Sequence, residues 1–186
     1  MSKKFKSALV IMLSLTMIAS FAGCGSKADF DTTTLTIGLT TTVDTLNPLT
    51  SYTQVTAEIF SLIYDPLVRF DKDQKSIPCL AKSWDLSKDK LTWTFHLQEG
   101  VKWHDGEPFT SADVKYTYDL MMDTDLGGMY VPFLEGITSI TCPDDNTVVI
   151  KTKEPKANML MNTSPILPEH IWGSMSNAKV AKYANA

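Results

Sequence analysis

The chain has 186 residues, 44% of them hydrophobic and 20% charged, with 17 basic and 21 acidic side chains. The net charge is −4, and no cluster of Lys and Arg occurs beyond the first few residues. This composition indicates a globular protein and argues against a nucleic-acid-binding surface and against electrostatic docking to a membrane.

The first two dozen residues have the pattern of an export signal. Basic residues within positions 3–6 precede an uncharged apolar run over residues 8–21, which is too short for an ordinary bilayer-spanning helix. The run ends in FAGC and resembles the lipobox of bacterial lipoproteins, although Phe stands where Leu is usual. We predict a lipoprotein signal peptide over residues 1–23 and lipidation of Cys24, with a plain secretory signal as the alternative.

A lipid on Cys24 predicts where the protein is located. Two or three acyl chains anchor a protein stably, whereas a single chain gives only marginal binding. The protein would lie at the cell surface or in the periplasm, attached to the outer face of a membrane without crossing it. Residues 24–33 are small and polar, which is typical of a flexible tether. Removal of residues 1–23 would leave 14 basic and 21 acidic side chains.

The next part of the chain predicts a strand, a helix and a hairpin. Residues 35–40 are rich in β-branched side chains and predict a strand. Residues 52–64 carry apolar side chains at helical spacing and predict a helix with one apolar face. That face consists of Val55, Ile59, Leu62 and Ile63. Residues 66–70 predict a strand, followed by a polar turn at residues 71–74.

The stretch over residues 91–114, LTWTFHLQEGVKWHDGEPFTSADV, combines several structural signals. Apolar and polar side chains alternate from Leu91, which predicts a strand with one buried face, paired in a hairpin with residues 84–86. A turn follows at HDG, and Thr110 with Asp113 predicts a capped helix start. This helix extends over residues 111–122 with Val114, Tyr118 and Met121 on one side.

The remaining residues predict a third hairpin between residues 137–141 and 147–152. Residues 157–161 favour a short helix, residues 165–168 a linker, and residues 177–186 the start of a further helix. Hairpins with a few helices indicate an α+β fold rather than a parallel Rossmann unit.

Six segments in order resemble bacterial extracellular solute-binding protein family 5, the peptide, dipeptide and nickel receptors of ABC importers. They are residues 45–48 (TLNP), 63–68 (IYDPLV), 77–84 (IPCLAKSW), 91–114, 145–148 (DNTV) and 166–171 (ILPEHI). None of these segments carries catalytic chemistry.

The resemblance implies the N-terminal part of a two-lobed periplasmic-binding-protein-like fold of type II, cluster C-like, with mixed sheets, hairpins and a few helices. Residues 34–50 would be the first segment of lobe I, and residues 51–163 an α+β subdomain inserted in it. Residues 164–186 would return to lobe I. Because family members run to several hundred residues, we expect the chain to be an N-terminal fragment without the second lobe.

The function that the resemblance implies is that of a substrate-binding lipoprotein of an ABC importer. It would capture a small solute, most simply a short peptide, and deliver it to the transmembrane subunits of the permease, without a cofactor and without enzymatic activity. The alternatives are an exported, lipid-anchored esterase or peptidase and a surface interaction module. The sequence has no GxSxG or HExxH motif for the former and no repeats for the latter.

Two groups of residues are candidate ligand contacts. Thr40, Thr41 and Thr42 follow the first predicted strand, where the resemblance places the ligand cleft; short hydroxyl residues there would leave the main chain accessible to a peptide. Their alternative reading is a polar strand end. The resemblance also implies that Tyr130 is an aromatic wall for the ligand, and the alternative is a tyrosine that packs in the core.

Other residue clusters have structural explanations. Trp84, Trp93, Trp103 and Phe95 suit a core better than a sugar-binding platform, because they alternate with polar residues. His96 and His104 lack a third ligand at metal-site spacing. Cys79 and Cys142 belong to no CxxC motif, and both a disulfide and two free thiols are compatible with export.

Overall fold

A computed structural model describes residues 33–39, 41–123, 126 and 128–183. The predicted signal peptide, Cys24 and Thr40 lie outside these residues. The chain divides into two compact units, residues 1–38 and residues 39–186.

The described part of the first unit, residues 33–38, contains no helix or strand, and its side chains are exposed. The same holds for Leu39. The strand predicted over residues 35–40 is therefore wrong for the part that the structure describes. β-Branched residues favour an extended backbone, but a strand exists only where a neighbouring strand completes its ladder of hydrogen bonds.

The second unit contains the regular elements of the described chain. In order these are α1 (Gln54–Ile63), β1 (Val68–Phe70), β2 (Ser76–Pro78), β3 (Ala81–Leu86), β4 (Thr92–Leu97), α2 (Ser111–Met122), a 3₁₀ turn (Gly128–Tyr130), α3 (Val131–Leu134), β5 (Ile137–Asp144), β6 (Thr147–Thr152), a second 3₁₀ turn (Met159–Met161), α4 (Glu169–Trp172) and α5 (Asn177–Val180).

The strands form two antiparallel sheets. Strands β1 and β2 make a two-stranded ribbon, with Val68 opposite Pro78. The second sheet has the order β3-β4-β6-β5, so the second and third predicted hairpins lie side by side. Each predicted hairpin is confirmed, and so is the α+β fold class. The third hairpin is tighter than predicted, because β5 continues through a register shift to Asp144.

The core lies between the four-stranded sheet and α2. Alternation along β4 buries Trp93, Phe95 and Leu97 on the face towards the helix, and the Trp93 and Phe95 rings are stacked with centroids 6.3 Å apart. The predicted inner face of α2 is likewise buried; it consists of Val114, Tyr118 and Met121. Local periodicity was sufficient here because sheet and helix each present one continuous apolar face.

The start of α2 holds two segments of the chain. One carboxylate oxygen of Asp113 accepts the backbone N–H of Thr110 at 2.8 Å, which completes the predicted capping box. The other accepts the N–H of Glu169 at 2.8 Å. One turn further on, the Thr117 hydroxyl accepts the N–H of Leu167 at 2.9 Å. The segment that includes residues 166–171 is therefore hydrogen-bonded to side chains in the first turns of α2.

Two details differ from the sequence prediction. The apolar face of α1 is turned so that Phe60 is buried while Leu62 and Ile63 are exposed. Helices α3 and α4 were not predicted, because segments of four residues are too short to show a helical period. Cys79 and Cys142 are free thiols and half-buried.

Candidate functional site

A cavity of about 470 Å³ opens between α1, strand β1, the first 3₁₀ turn and the segment before α4. Its size is within the range of small-molecule sites in proteins. Its lining is mostly apolar and consists of Ala57, Phe60, Ser61, Leu62, Tyr64, Pro66, Arg69, Phe70, Tyr130, Thr163 and Pro165.

Helix α1, which forms one wall, is fixed at its N-terminus by a network around Asp44. The carboxylate accepts the hydroxyls of Thr56 at 2.6 Å, Ser51 at 2.9 Å and Thr53 at 3.1 Å, and the N–H of Tyr52 at 3.2 Å. These hydrogen bonds, that from Thr56 above all, hold the pKa of Asp44 well below its usual range. Thr53 also caps the helix. The cavity wall is therefore anchored to the loop that follows Thr42.

Aromatic rings dominate the cavity and one cation lies at its edge. The rings of Phe60 and Tyr64 meet edge to face, with centroids 6.2 Å apart. The Arg69 guanidinium pairs with Asp65 four residues earlier, and both side chains are about half exposed. Such a site can hold an apolar or aromatic side chain against the rings and offer Arg69 to a carboxylate or carbonyl.

Tyr130 lines this cavity and is only 8% exposed. Burial raises the pKa of its hydroxyl. No hydrogen bond of this hydroxyl is found among the described residues, although a buried Tyr usually has a partner. The phenol therefore remains able to donate to, or accept from, a molecule in the cavity.

Two of the three predicted threonine contacts, Thr41 and Thr42, lie outside this cavity. Thr41 and Thr42 are exposed, and neither belongs to the lining of the cavity. Thr40 lies outside the described residues. The structure therefore does not bring Thr41 or Thr42 into one pocket with Tyr130, and the roles of the three threonines and of Tyr130 in ligand binding stay predictions.

Sequence reasoning missed Arg69 and Phe70 as cavity residues. Both directly follow the segment over residues 63–68, IYDPLV, that contributed to the family resemblance, so a cation and an aromatic residue after that motif were the available signal.

The aromatic residues of the third and fourth strands and the following turn have the structural role expected of them. Trp93 and Phe95 are core, while Trp84 and Trp103 are half-buried against it. His96 pairs with Asp85 at 3.0 Å. Within the described residues, no group of His, Cys, Asp and Glu is arranged to hold a metal ion, and no helix is both long and apolar enough to cross a membrane.

The fold is that of periplasmic binding proteins. Its solved relatives include NikZ from Campylobacter jejuni in complex with Ni(L-His), with a TM-score of 0.67 and 29% sequence identity over 74% of this chain and 28% of that one. They also include the oligopeptide-binding protein AppA from Bacillus subtilis in complex with a nonapeptide, with a TM-score of 0.67 and 27% identity over 74% of this chain and 28% of that one. The fold class predicted from the resemblance is confirmed.

Residues 75–185 match the family model of bacterial extracellular solute-binding proteins, family 5 Middle, and the chain belongs to this family. A putative ABC transporter peptide-binding protein from Brucella ovis is 44% identical over 124 residues, which are 65% of this chain and 23% of that protein. The chain thus spans about a quarter of the length of the curated relatives that it matches.

Proposed function

We propose that this chain is part of the substrate-binding component of an ABC importer, with a short peptide as its ligand. Family membership is the observation that carries the proposal, because the family consists of extracellular solute-binding proteins. Relatives named as peptide-binding proteins and a neighbour that holds a nonapeptide support a peptide in particular.

The cavity at Tyr130 is proposed as part of the ligand-contacting surface. Aromatic walls and a phenol without a hydrogen-bond partner among the described residues suit the side chains and main chain of a peptide, and Arg69 suits its carboxylate. Thr40, Thr41 and Thr42 remain proposed contacts of the peptide main chain. Two-lobed receptors trap a ligand between both lobes, so this chain is proposed to supply one wall. The ligand would then pass to the transmembrane subunits of the permease.

Calorimetric titration of the full-length protein with dialanine, trialanine and a nonapeptide tests this proposal. At least one peptide is expected to bind, and residues 24–186 alone are expected to bind it far more weakly. Failure of all three peptides, or equal affinity of both preparations, would contradict it. Mass spectrometry of the copurified ligand then identifies the natural solute.

Two exposed leucines provide a matched test of the cavity. Leu62 lines it, whereas Leu86 lies on the edge strand β3 away from it. Leu62→Ser is expected to weaken peptide binding, and Leu86→Ser to leave it unchanged. Equal effects of the two substitutions on peptide affinity would contradict the proposal that the cavity is part of the ligand site.

The anchor on Cys24 is proposed from the sequence alone. Cys24→Ala is expected to release the protein from the membrane fraction, because the lipidated side chain is lost. A mutant that stays with the membranes would point to another anchor.

The competing proposal is an exported hydrolase. Turnover of generic ester or peptide substrates by the purified full-length protein would favour it over the receptor.

A further inference from the structure

Gly128 begins the 3₁₀ turn that ends at Tyr130, and its surroundings exclude any side chain. Its φ is +54°, a conformation that residues with a Cβ rarely adopt. A Cβ at this position would also lie 2.8 Å from the carbonyl oxygen of Leu49. That obstacle is backbone, so a side-chain rotation cannot relieve the contact.

The carbonyl of Leu49 belongs to a corner that is held in place. Leu49 is buried, and its N–H donates to the side-chain oxygen of Asn47 at 2.9 Å. The side-chain nitrogen of Asn47 donates to the carbonyl of Val180 in α5 at 2.6 Å. The corner at residues 47–49 is therefore tied to an element far away in the sequence and presents a fixed surface to Gly128.

The chain on the other side of Tyr130 is fixed as well. Helix α3 follows at once, and its Leu134 is 1% exposed in the core. The Lys156 ammonium donates to the carbonyl of Glu135 at 2.8 Å, just after the helix. The position of Tyr130 in the cavity thus depends on how closely the turn can approach Leu49.

We propose that Gly128 is a positioning residue for the ligand site. Because Gly128 has no Cβ, the turn can lie against the Leu49 carbonyl, and this contact places the Tyr130 ring and hydroxyl in the cavity. The inference rests on the proposed function, in which the cavity contacts a peptide. Gly128 itself need not touch the ligand.

Gly136 provides a matched control for Gly128→Ala. Its φ is +79°, so an alanine there is also strained, but no atom lies within 4 Å of the added Cβ. Both substitutions thus introduce an unfavourable φ, and only Gly128→Ala introduces the contact with Leu49. A difference between the two variants in the measurements below is therefore attributed to the contact with Leu49.

The first measurement needs no ligand. The full-length protein is labelled with 3-fluorotyrosine, and the ¹⁹F resonance of Tyr130 is assigned by its absence in Tyr130→Phe. Gly128→Ala is expected to shift this resonance while that of Tyr118 in the α2 core stays in place. Gly136→Ala is expected to leave both unchanged. An unshifted Tyr130 resonance in folded Gly128→Ala overturns the proposal.

The second measurement is calorimetric titration with trialanine. Gly128→Ala is expected to bind about tenfold more weakly than Gly136→Ala, the effect of misplacing one ligand-contacting group. A shifted resonance with unchanged affinity overturns the role of the cavity in the proposed function, but not the placement of Tyr130 by Gly128. If Gly128→Ala does not fold, Asn47→Asp is measured in its place. This substitution removes the donor to the Val180 carbonyl and so loosens the corner at residues 47–49. An unshifted Tyr130 resonance in Asn47→Asp overturns the proposal.

Discussion

The sheet with α2 and the wall of the cavity differ in the burial of their apolar side chains and in the pairing of their polar groups, although both belong to residues 39–186. In the sheet and α2, apolar residues face inwards and the buried Asp113 and Thr117 have hydrogen-bond partners, whereas the indole nitrogen of Trp93 has none among the described residues. In the cavity wall, Leu62 is 72% exposed and the hydroxyl of Tyr130 has no partner among the described residues. The first region meets the needs of folding, and the second leaves groups available to a ligand.

The largest expected difference between the two regions is in the unfolding free energy lost when a leucine of each is replaced by alanine. Leu97→Ala empties a fully buried position in β4 and is expected to cost about 2–5 kcal/mol in unfolding free energy. Leu62→Ala removes the same atoms from an exposed position and is expected to cost less than about 0.5 kcal/mol. Urea denaturation measures both, and similar losses would erase the distinction between the regions.

A second test concerns the two segments held by Asp113. Asp113→Ala leaves the part-buried amides of Thr110 and Glu169 without this acceptor, and since an unsatisfied amide costs at most about 1–3 kcal/mol, a loss of about 2–4 kcal/mol is expected. Asp119→Ala, on the exposed side of the same helix, removes only a surface pair with Lys115 and is expected to change stability by less than about 0.5 kcal/mol. Equal denaturation midpoints would contradict the double role of Asp113.

In the cavity wall the expected effect is on binding instead of stability. Tyr130→Phe removes a hydroxyl that makes no hydrogen bond among the described residues, so the unfolding free energy is expected to change by less than about 0.5 kcal/mol. Peptide affinity is expected to fall about five- to tenfold, because a ligand hydrogen bond is lost. Tyr52→Phe, an exposed residue outside the cavity, is the control for calorimetry. A destabilised Tyr130→Phe with unchanged affinity would assign Tyr130 to the core.

The smallest effect is expected at a surface pair that joins α4 to the turn before α2. His170 Nε2 lies 2.7 Å from Asp105 Oδ2, and this hydrogen bond raises the pKa of His170 and lowers that of Asp105, with Asp113 and Glu107 as further acidic neighbours of His170. The folded protein binds the His170 proton more tightly than the unfolded chain does. The stabilisation is therefore fully present below the unfolded pKa, about 6.5, and is lost as pH rises through the higher folded pKa.

The denaturation midpoints of wild type and His170→Asn should accordingly differ most near about pH 5–6 and converge by roughly pH 9. Asp105→Asn should abolish the same pH dependence. A difference that grows with pH would contradict the assigned direction.

Much of the fold could be predicted from short stretches of sequence. The β4 strand follows from alternation, and α2 follows from Thr110 and Asp113 at its start. In α1 the period was visible, but the buried side was not, because Leu62 and Phe60 are equally apolar and only the neighbouring elements select between them. Tyr130 came from the family resemblance, whereas Arg69 and Phe70 required the structure, since the segments that complete their cavity are distant in sequence.

The family, the hairpins and the capped helix could be inferred from short stretches of sequence, because periodicity, turns and caps depend on residues a few positions apart. Three features depend on how the elements pack: the set of residues that encloses the cavity, the hydrogen bond from Glu169 to Asp113, and the contact of Gly128 with Leu49. These contacts join segments dozens of residues apart, and they exist only once the elements have packed and fixed where the chain returns.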